Sequence, residues 1–206
     1  MKIEALLDRI IESFTNENFA AELQASKDFY FEMNGRPYED LHSFESRMNS
    51  FLEWFILDKI NEKLTKRVID FLIEDNSHKF TPDEVKELKA LDKNIHSIFL
   101  TRKIKNNTVK VMDLYSKEKY TVVQDGAKLT MNMDEILTAR IVKHDDHYIF
   151  TRTYCPHPFE AYKFIKARMK TAKKEGENIL DVLFSLNKMS LMWEESRNID
   201  INKIYK

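Results

Sequence analysis

Apolar positions recur at helical spacing through the first 95 residues. Ile3, Leu6, Leu7, Ile10, Ile11 and Phe14 fall on one face of a predicted helix, with Glu4, Asp8, Arg9 and Glu12 opposite. Thr15-Asn16 offers a break and a new cap, after which Phe19, Leu23, Ser26, Tyr30 and Met33 continue a second helix to Gly35, where a left-handed stop is expected. Beyond the Gly35-Arg36-Pro37 loop, Leu41, Phe44, Met48, Phe51 and Phe55 form one stripe, while Trp54, Leu57 and Leu64 mark another side. A helix apolar around so much of its girth belongs at the centre of a bundle. Leu64, Val68, Phe71 and Leu72 suggest a fourth helix. Thr81-Pro82-Asp83-Glu84 starts a fifth, with Thr81 as N-cap, Pro82 at the first helical position and Glu84 closing a capping box.

Near residue 96 the period changes from helical to short β-like runs divided by turns. Strands are predicted at 97–104, 108–114, 119–124, 135–143 and 147–153, with Lys105-Asn106-Asn107, Tyr115-Ser116-Lys117-Glu118, Asp125-Gly126 and His144-Asp145-Asp146 as turns. Links this short favour antiparallel pairing, and five strands make a meander that curls or partly closes into a barrel. After Pro158 the helical period returns, with Tyr162, Ile165, Met169 and Ala172 on one face, and again from Ile179 through Leu183, Leu186 and Trp193. The expected fold is α+β, with a helical region over 1–95, an antiparallel β-meander over 96–157 and C-terminal helices over 158–206, which can form one continuous domain.

Composition narrows the function classes. Hydrophobic residues make up 43% and charged residues 33% of the 206, so the chain is too apolar for disorder and too charged for an integral membrane protein. Phe51 to Leu57, the longest apolar neighbourhood, is broken by Glu53 and falls far short of the roughly 20 residues a span needs. Acidic residues among Met1 to Arg9 fall where a secretory signal would have an uninterrupted apolar stretch, so no export signal is expected. The three glycines, Gly35, Gly126 and Gly176, lie far apart, so neither a phosphate-cradling loop nor a dinucleotide fingerprint can be built. Cys155 is the single cysteine, which excludes an internal disulfide and suits a reducing compartment, the cytoplasm.

The net charge is -1, but it is unevenly spread. Residues 1–62 are strongly acidic, whereas 152–174 hold Arg152, Lys163, Lys166, Arg168, Lys170, Lys173 and Lys174 against Glu160 alone. Lys163, Lys166, Lys170 and Lys173 recur at helical spacing opposite the apolar stripe, as a cationic ridge. An acidic protein partner, nucleic-acid phosphates and the chain's own acidic bundle are all open as its counterpart, as is simple solvation.

His144, His147, Cys155 and His157 are the densest set of reactive side chains, and hairpin pairing brings the two segments toward one end of the sheet. Imidazoles, carboxylates and a thiolate bind borderline metals. The two histidines of the turn lack the i, i+4 spacing that aims imidazoles at one ion, and flanking prolines disturb a Cys155–His157 nucleophile and base. H-E-x-x-H, G-x-S-x-G and Walker sequences are absent, so no catalytic, cofactor-binding or metal residue is assigned, and the expectation is that the protein is not an enzyme.

Phe51-Leu52-Glu53-Trp54-Phe55-Ile56-Leu57-Asp58 resembles an F-x-E-W-F-x-x-D helix of uncharacterised bacterial proteins, in which a helical N-terminal half precedes a small β region with segments like Ser97-Ile98-Phe99 and Val111-Met112-Asp113-Leu114. The resemblance covers about residues 44–160 and implies a bacterial, cytoplasmic setting but no activity. Some members carry a Cys-rich zinc motif of the SecA type. With one cysteine this chain departs from it, so zinc is not carried over and no cofactor is expected. Read from the residues, Trp54 and Phe55 anchor the bundle and Asp58 caps a helix or pairs with a cation.

The leading expectation is a non-catalytic interaction or adaptor module. Its contact surface would comprise Lys163, Lys166, Lys170 and Lys173 with Leu183, Leu186, Met189 and Trp193 on the C-terminal helix, facing a protein partner with an acidic or apolar surface. The alternative is a nucleic-acid-binding protein using the basic helix 159–174. A metal-dependent enzyme around His144, His147, Cys155 and His157 is the third reading.

Overall fold

The computed structural model describes residues 2–123, 131–196 and 198–206. Its N-terminal part holds α1 (Lys2–Phe14), α2 (Ala20–Asn34), α3 (Phe44–Leu57), α4 (Val68–Glu74) and α5 (Pro82–Asp92), with a short ladder of β1 (Ile60–Asn61) and β2 (Lys66–Arg67) between α3 and α4. Five strands follow: β3 (Ile95–Lys105), β4 (Thr108–Asp113), β5 (Lys119–Val123), β6 (Ile136–His144) and β7 (His147–His157). The chain ends in α6 (Tyr162–Glu175), α7 (Ile179–Glu195) and α8 (Ile201–Ile204). The α+β class is as expected.

Local chemistry accounts for most element boundaries. Ile3, Leu6, Leu7, Ile10 and Phe14 of α1 are buried on one face. At α5 both halves of the capping box form: the Glu84 N–H donates to Thr81 Oγ1 at 3.3 Å, and the Thr81 N–H donates to Glu84 Oε2 at 2.8 Å. Two expectations are corrected. The stretch around Leu64 is not helical, because Asn61 Oδ1 accepts from the N–H groups of Lys63 and Leu64 in a side-chain turn, Thr65 adopts φ 56°, and α4 begins only at Val68. Gly35 does end α2, but at φ 82° and ψ 140° rather than in the left-handed helical well. A Cβ there would lie 2.7 Å from Leu191 Cδ2, so glycine lets the end of α2 approach α7.

The five strands close into a barrel in the order β3-β4-β5-β7-β6. The expected barrel is present and fully closed, and only the all-antiparallel meander order is corrected. β7 is inserted between β6 and β5 and pairs parallel with β5, Val122 opposite Tyr148 and Val123 opposite Ile149, whereas the remaining pairs are antiparallel. No helical crossover is needed, since β6 carries the chain back between the two parallel strands. Irregularities at Thr101/Lys103 and Ala139/Ile141 bend the long strands, and closure removes the exposed edges of an open sheet. The Gln124 end of the predicted third strand and the Asp125-Gly126 turn lie outside the described residues.

Alternation along the strands sorts side chains into three packed cores. Phe99, Val109, Val111, Val122, Leu137, Ala139 and Ile141 fill the barrel. Ile98, Leu100 and Ile136 turn outward onto Ile165, Met169 and Ala172 of α6 and onto Val182, Leu183 and Leu186 of α7. Val142 and Ile149 join the bundle core with Phe51, Trp54, Phe55 and Leu57 of α3 and Phe184 of α7. Helices thus cover the outer sides of β3, β6 and β7. On β4 and β5, outward Lys110, Lys119 and Thr121 stay exposed.

One outward residue of β6 is charged. Arg140, with a side chain 2% exposed, sits between Glu53 of α3 and Asp58, the residue that caps the C-terminus of α3. Its guanidinium donates to both Asp58 oxygens and, at 2.7 Å, to Asn94 Oδ1, and lies 3.6 Å from Glu53 Oε2. Thr151 and Thr153 hydroxyls donate to Glu53 Oε2 at 2.9 and 2.8 Å. The expected cationic partner of Asp58 is therefore Arg140, and Glu53-Trp54-Phe55-Asp58 is an ion-pair and packing unit joining the bundle to the barrel.

Candidate functional site

The sequence-predicted residues separate into three places. Lys163, Lys166, Lys170 and Lys173 are exposed on α6, opposite the buried Ile165, Met169 and Ala172, so the ridge forms. Among the described residues none of the four makes a salt bridge, so the ridge is not neutralised by the acidic bundle. Arg152 is the cation of that region that reaches it, holding both Asp8 oxygens at 2.6 Å. Leu183 and Leu186 are corrected as contact residues, being 0% and 1% exposed in the core under α6. Met189 and Trp193 are half-buried against the same core. Helical spacing revealed an apolar face but not that barrel and α6 cover it.

His144, His147, Cys155 and His157 do not converge. His144 and His147 face each other across the β6–β7 hairpin, ring centroids 5.6 Å apart, whereas Cys155 and His157 lie at the far end of β7. Eight residues of strand put about 26 Å between His147 and Cys155. His147 Nδ1 is 3.1 Å from Asp146 Oδ1, and His144 Nδ1 is 3.8 Å from Glu87 Oε1. Cys155 donates to Ser190 Oγ at 3.3 Å. His157 is wedged between the Thr138 hydroxyl at 2.9 Å and the Tyr205 hydroxyl at 3.1 Å. Burial, then the nearby Arg47 charge, push its pKa down to about 3, so the ring is neutral and serves as a hydrogen-bond hub rather than a base for the thiol. Among the described residues, no group of three or more His, Cys, Asp or Glu is placed to hold a metal ion.

The register assembles a site that the helix ridge alone did not reveal. Lys103 of β3 stands directly opposite Lys110 of β4, which in turn stands opposite Thr121 of β5. Lys119 opposes Met112, diagonal to Lys110 on the same outward face, and Lys105 lies at the hairpin turn. All four lysines are exposed, and none has an ion-pair partner among the described residues. Like charges directly opposite on a sheet repel.

This face runs on into the ridge. Lys173 Nζ lies 5.8 Å from the Tyr115 ring centroid and 3.5 Å from the Ser116 carbonyl, which it donates to, in the β4–β5 turn. Partial burial, with the charges of Lys166 and Lys173, lowers the pKa of Lys117 in that turn. The barrel lysines Lys103, Lys110 and Lys119 and the α6 ridge thus border the same β4–β5 turn, where Glu118, between Lys117 and Lys119, is the exposed carboxylate. The sequence signal for the barrel half was alternation: Lys103 and Lys105 share one side of β3, and Lys110 lies across the turn. Only the register shows that they share a face with Lys119.

No curated protein and no solved structure matches the chain. Among the described residues no helix is long and apolar enough to cross a membrane. A family model spans residues 2–204, and the chain belongs to that family, a family of unknown function designated DUF7986.

Proposed function

We propose that this protein is a non-catalytic nucleic-acid-binding protein of the bacterial cytoplasm that holds phosphates on the outer face of β3, β4 and β5 and on α6. The observation that carries the reading is the Lys103–Lys110 pair, two exposed ammonium groups placed directly opposite with no carboxylate partner among the described residues. A polyanion relieves that repulsion and releases its own counterions in doing so. Barrel topology supports the same face by analogy. Counted within the barrel the order is first-second-third-fifth-fourth, with the third and fifth strands parallel, the Greek-key order of five-stranded barrels that bind oligonucleotides or oligosaccharides over their second and third strands. Here those strands are β4 and β5, whose outward lysines helices leave uncovered. The bacterial, cytoplasmic setting rests on the Phe51–Asp58 resemblance. A protein partner with an acidic surface would use the same cations but, with Leu183 and Leu186 buried, would keep only Met189 and Trp193, both half-buried, of its expected apolar contact.

The test is fluorescence anisotropy with a labelled 20-nucleotide single strand across a salt series. Combined Lys103→Gln, Lys110→Gln and Lys119→Gln should weaken binding and lower the slope of log affinity against log salt by about 2, at about 0.7 for each phosphate no longer neutralised. Absence of nucleic-acid binding at low salt, or an unchanged slope in the triple variant, would remove the proposal.

A further inference from the structure

The cationic field ends in an aromatic stack. Phe159, in the turn that leads into α6, is stacked on Tyr162, with ring centroids 6.0 Å apart and planes 1° from parallel. Lys166 Nζ stands 5.6 Å from the Tyr162 ring centroid. Tyr162 is half-buried against the core beneath α6, whereas Phe159 remains 55% exposed although it is among the largest apolar side chains. One end of the stack is thus anchored in the fold, and the ring at the other end keeps more than half its surface in water. From Lys166 the cations continue through Lys117 and Lys173 to the barrel lysines.

Resting on the nucleic-acid reading above, we infer that the ligand is single-stranded and that Phe159 is the platform on which one of its bases stacks while Lys163 and Lys166 hold the adjoining phosphates. A base extends the parallel column Phe159–Tyr162 by one more ring, removing the exposed Phe159 surface from water. In duplex nucleic acid the bases are already stacked and cannot reach a ring at the surface of α6. The contact reads the π-face that all bases share, so it selects strandedness and not sequence. Charge complementarity places the occupant: the exposed cations flanking the stack, Lys163 and Lys166, have no carboxylate partner among the described residues.

The experiment compares the full chain with Phe159→Ala and Phe159→Trp on four labelled probes: oligo(dT), oligo(U), a duplex of equal length and an abasic phosphodiester strand. Phe159→Ala should weaken the two base-bearing single strands by about 5- to 150-fold, the range for removal of one stacked base. The abasic strand, the duplex and the salt slope should not change, because the ring carries no charge. Phe159→Trp should restore binding. The oligo(dT) and oligo(U) arms report whether DNA or RNA is preferred. If the native chain binds all four probes alike and Phe159→Ala changes none, the platform is overturned while phosphate binding stands. If no probe binds, both readings fall. Phe159 is exposed, and unchanged melting of the variants would show that weaker binding does not reflect unfolding.

Discussion

Replacing Arg140 by Met tests whether bundle and barrel are held together by one buried cation. Met keeps much of the side-chain length and apolar stem but removes the charge that Glu53 and Asp58 share. Arg140 and Glu53 are each 2% exposed at the side chain, so water cannot take over the vacated role at Glu53. Removing one member of a buried pair costs about 3–5 kcal/mol, chiefly because the other charge is left uncompensated. In a chain of this size each kcal/mol moves the melting temperature by about 2–4 °C, so a fall of about 6–20 °C is expected at pH 7.

The loss also has a pH signature. Burial raises the pKa of Glu53 above its ordinary 4.5, against the opposing pull of Arg140, and without Arg140 it rises further. A carboxyl whose folded pKa is raised contributes stability below its unfolded pKa and loses that contribution as pH rises through the folded value. The deficit of Arg140→Met relative to the native chain should therefore shrink as pH falls toward 4.5, measured by urea unfolding at several pH values. Adding Glu53→Gln should recover much of the loss at pH 7. A deficit at pH 7 within the about 0.5 kcal/mol of a surface substitution would refute this account.

Trp54 packs against Tyr30, Phe51 and Phe184 with ring centroids 5.2 to 6.4 Å apart, and Trp54→Ala should cost about 3–5 kcal/mol by the same unfolding assay; an unchanged curve would displace it from the core. Gly35→Ala should cost about 1–3 kcal/mol, because φ 82° with ψ 140° is a region reserved for glycine and the new Cβ meets Leu191. Gly176→Ala, left-handed but with nothing within 4 Å of its Cβ, should cost less; equal losses would dismiss the Leu191 contact as a factor.

What was legible in the sequence was whatever depends on near neighbours. The face of α1, the Thr81 capping box and the ends of β4 need only residues a few positions apart. Leu64 was misplaced because apolar periodicity carried a helix across Asn61, whose side chain in fact organises a turn. Barrel order was not legible, since the insertion of β7 beside β5 rests on a two-residue parallel register, Val122–Tyr148 and Val123–Ile149, with no local signature. The same limit affected the candidate site. The α6 ridge showed as a repeat of lysines, but Leu183 and Leu186 read as available when strands distant in sequence bury them, and Lys103, Lys110 and Lys119 become one surface only through pairing. The length of β7 separates His144 and His147 from Cys155 and His157, and His157 is occupied by the Thr138 and Tyr205 hydroxyls.

The Arg140 bridge also bears on the order in which the chain acquires structure. Asp58 and its cation are 82 residues apart, so at about 5–20 residues per second a growing polypeptide exposes α3 for about 4–16 s before the guanidinium that will neutralise it has been made. During that interval Glu53 and Asp58 are expected to stay hydrated, which would keep Phe51, Trp54 and Phe55 from closing into a dry core beside them. The first half of the molecule should thus be synthesised early but consolidate late, when β6 arrives.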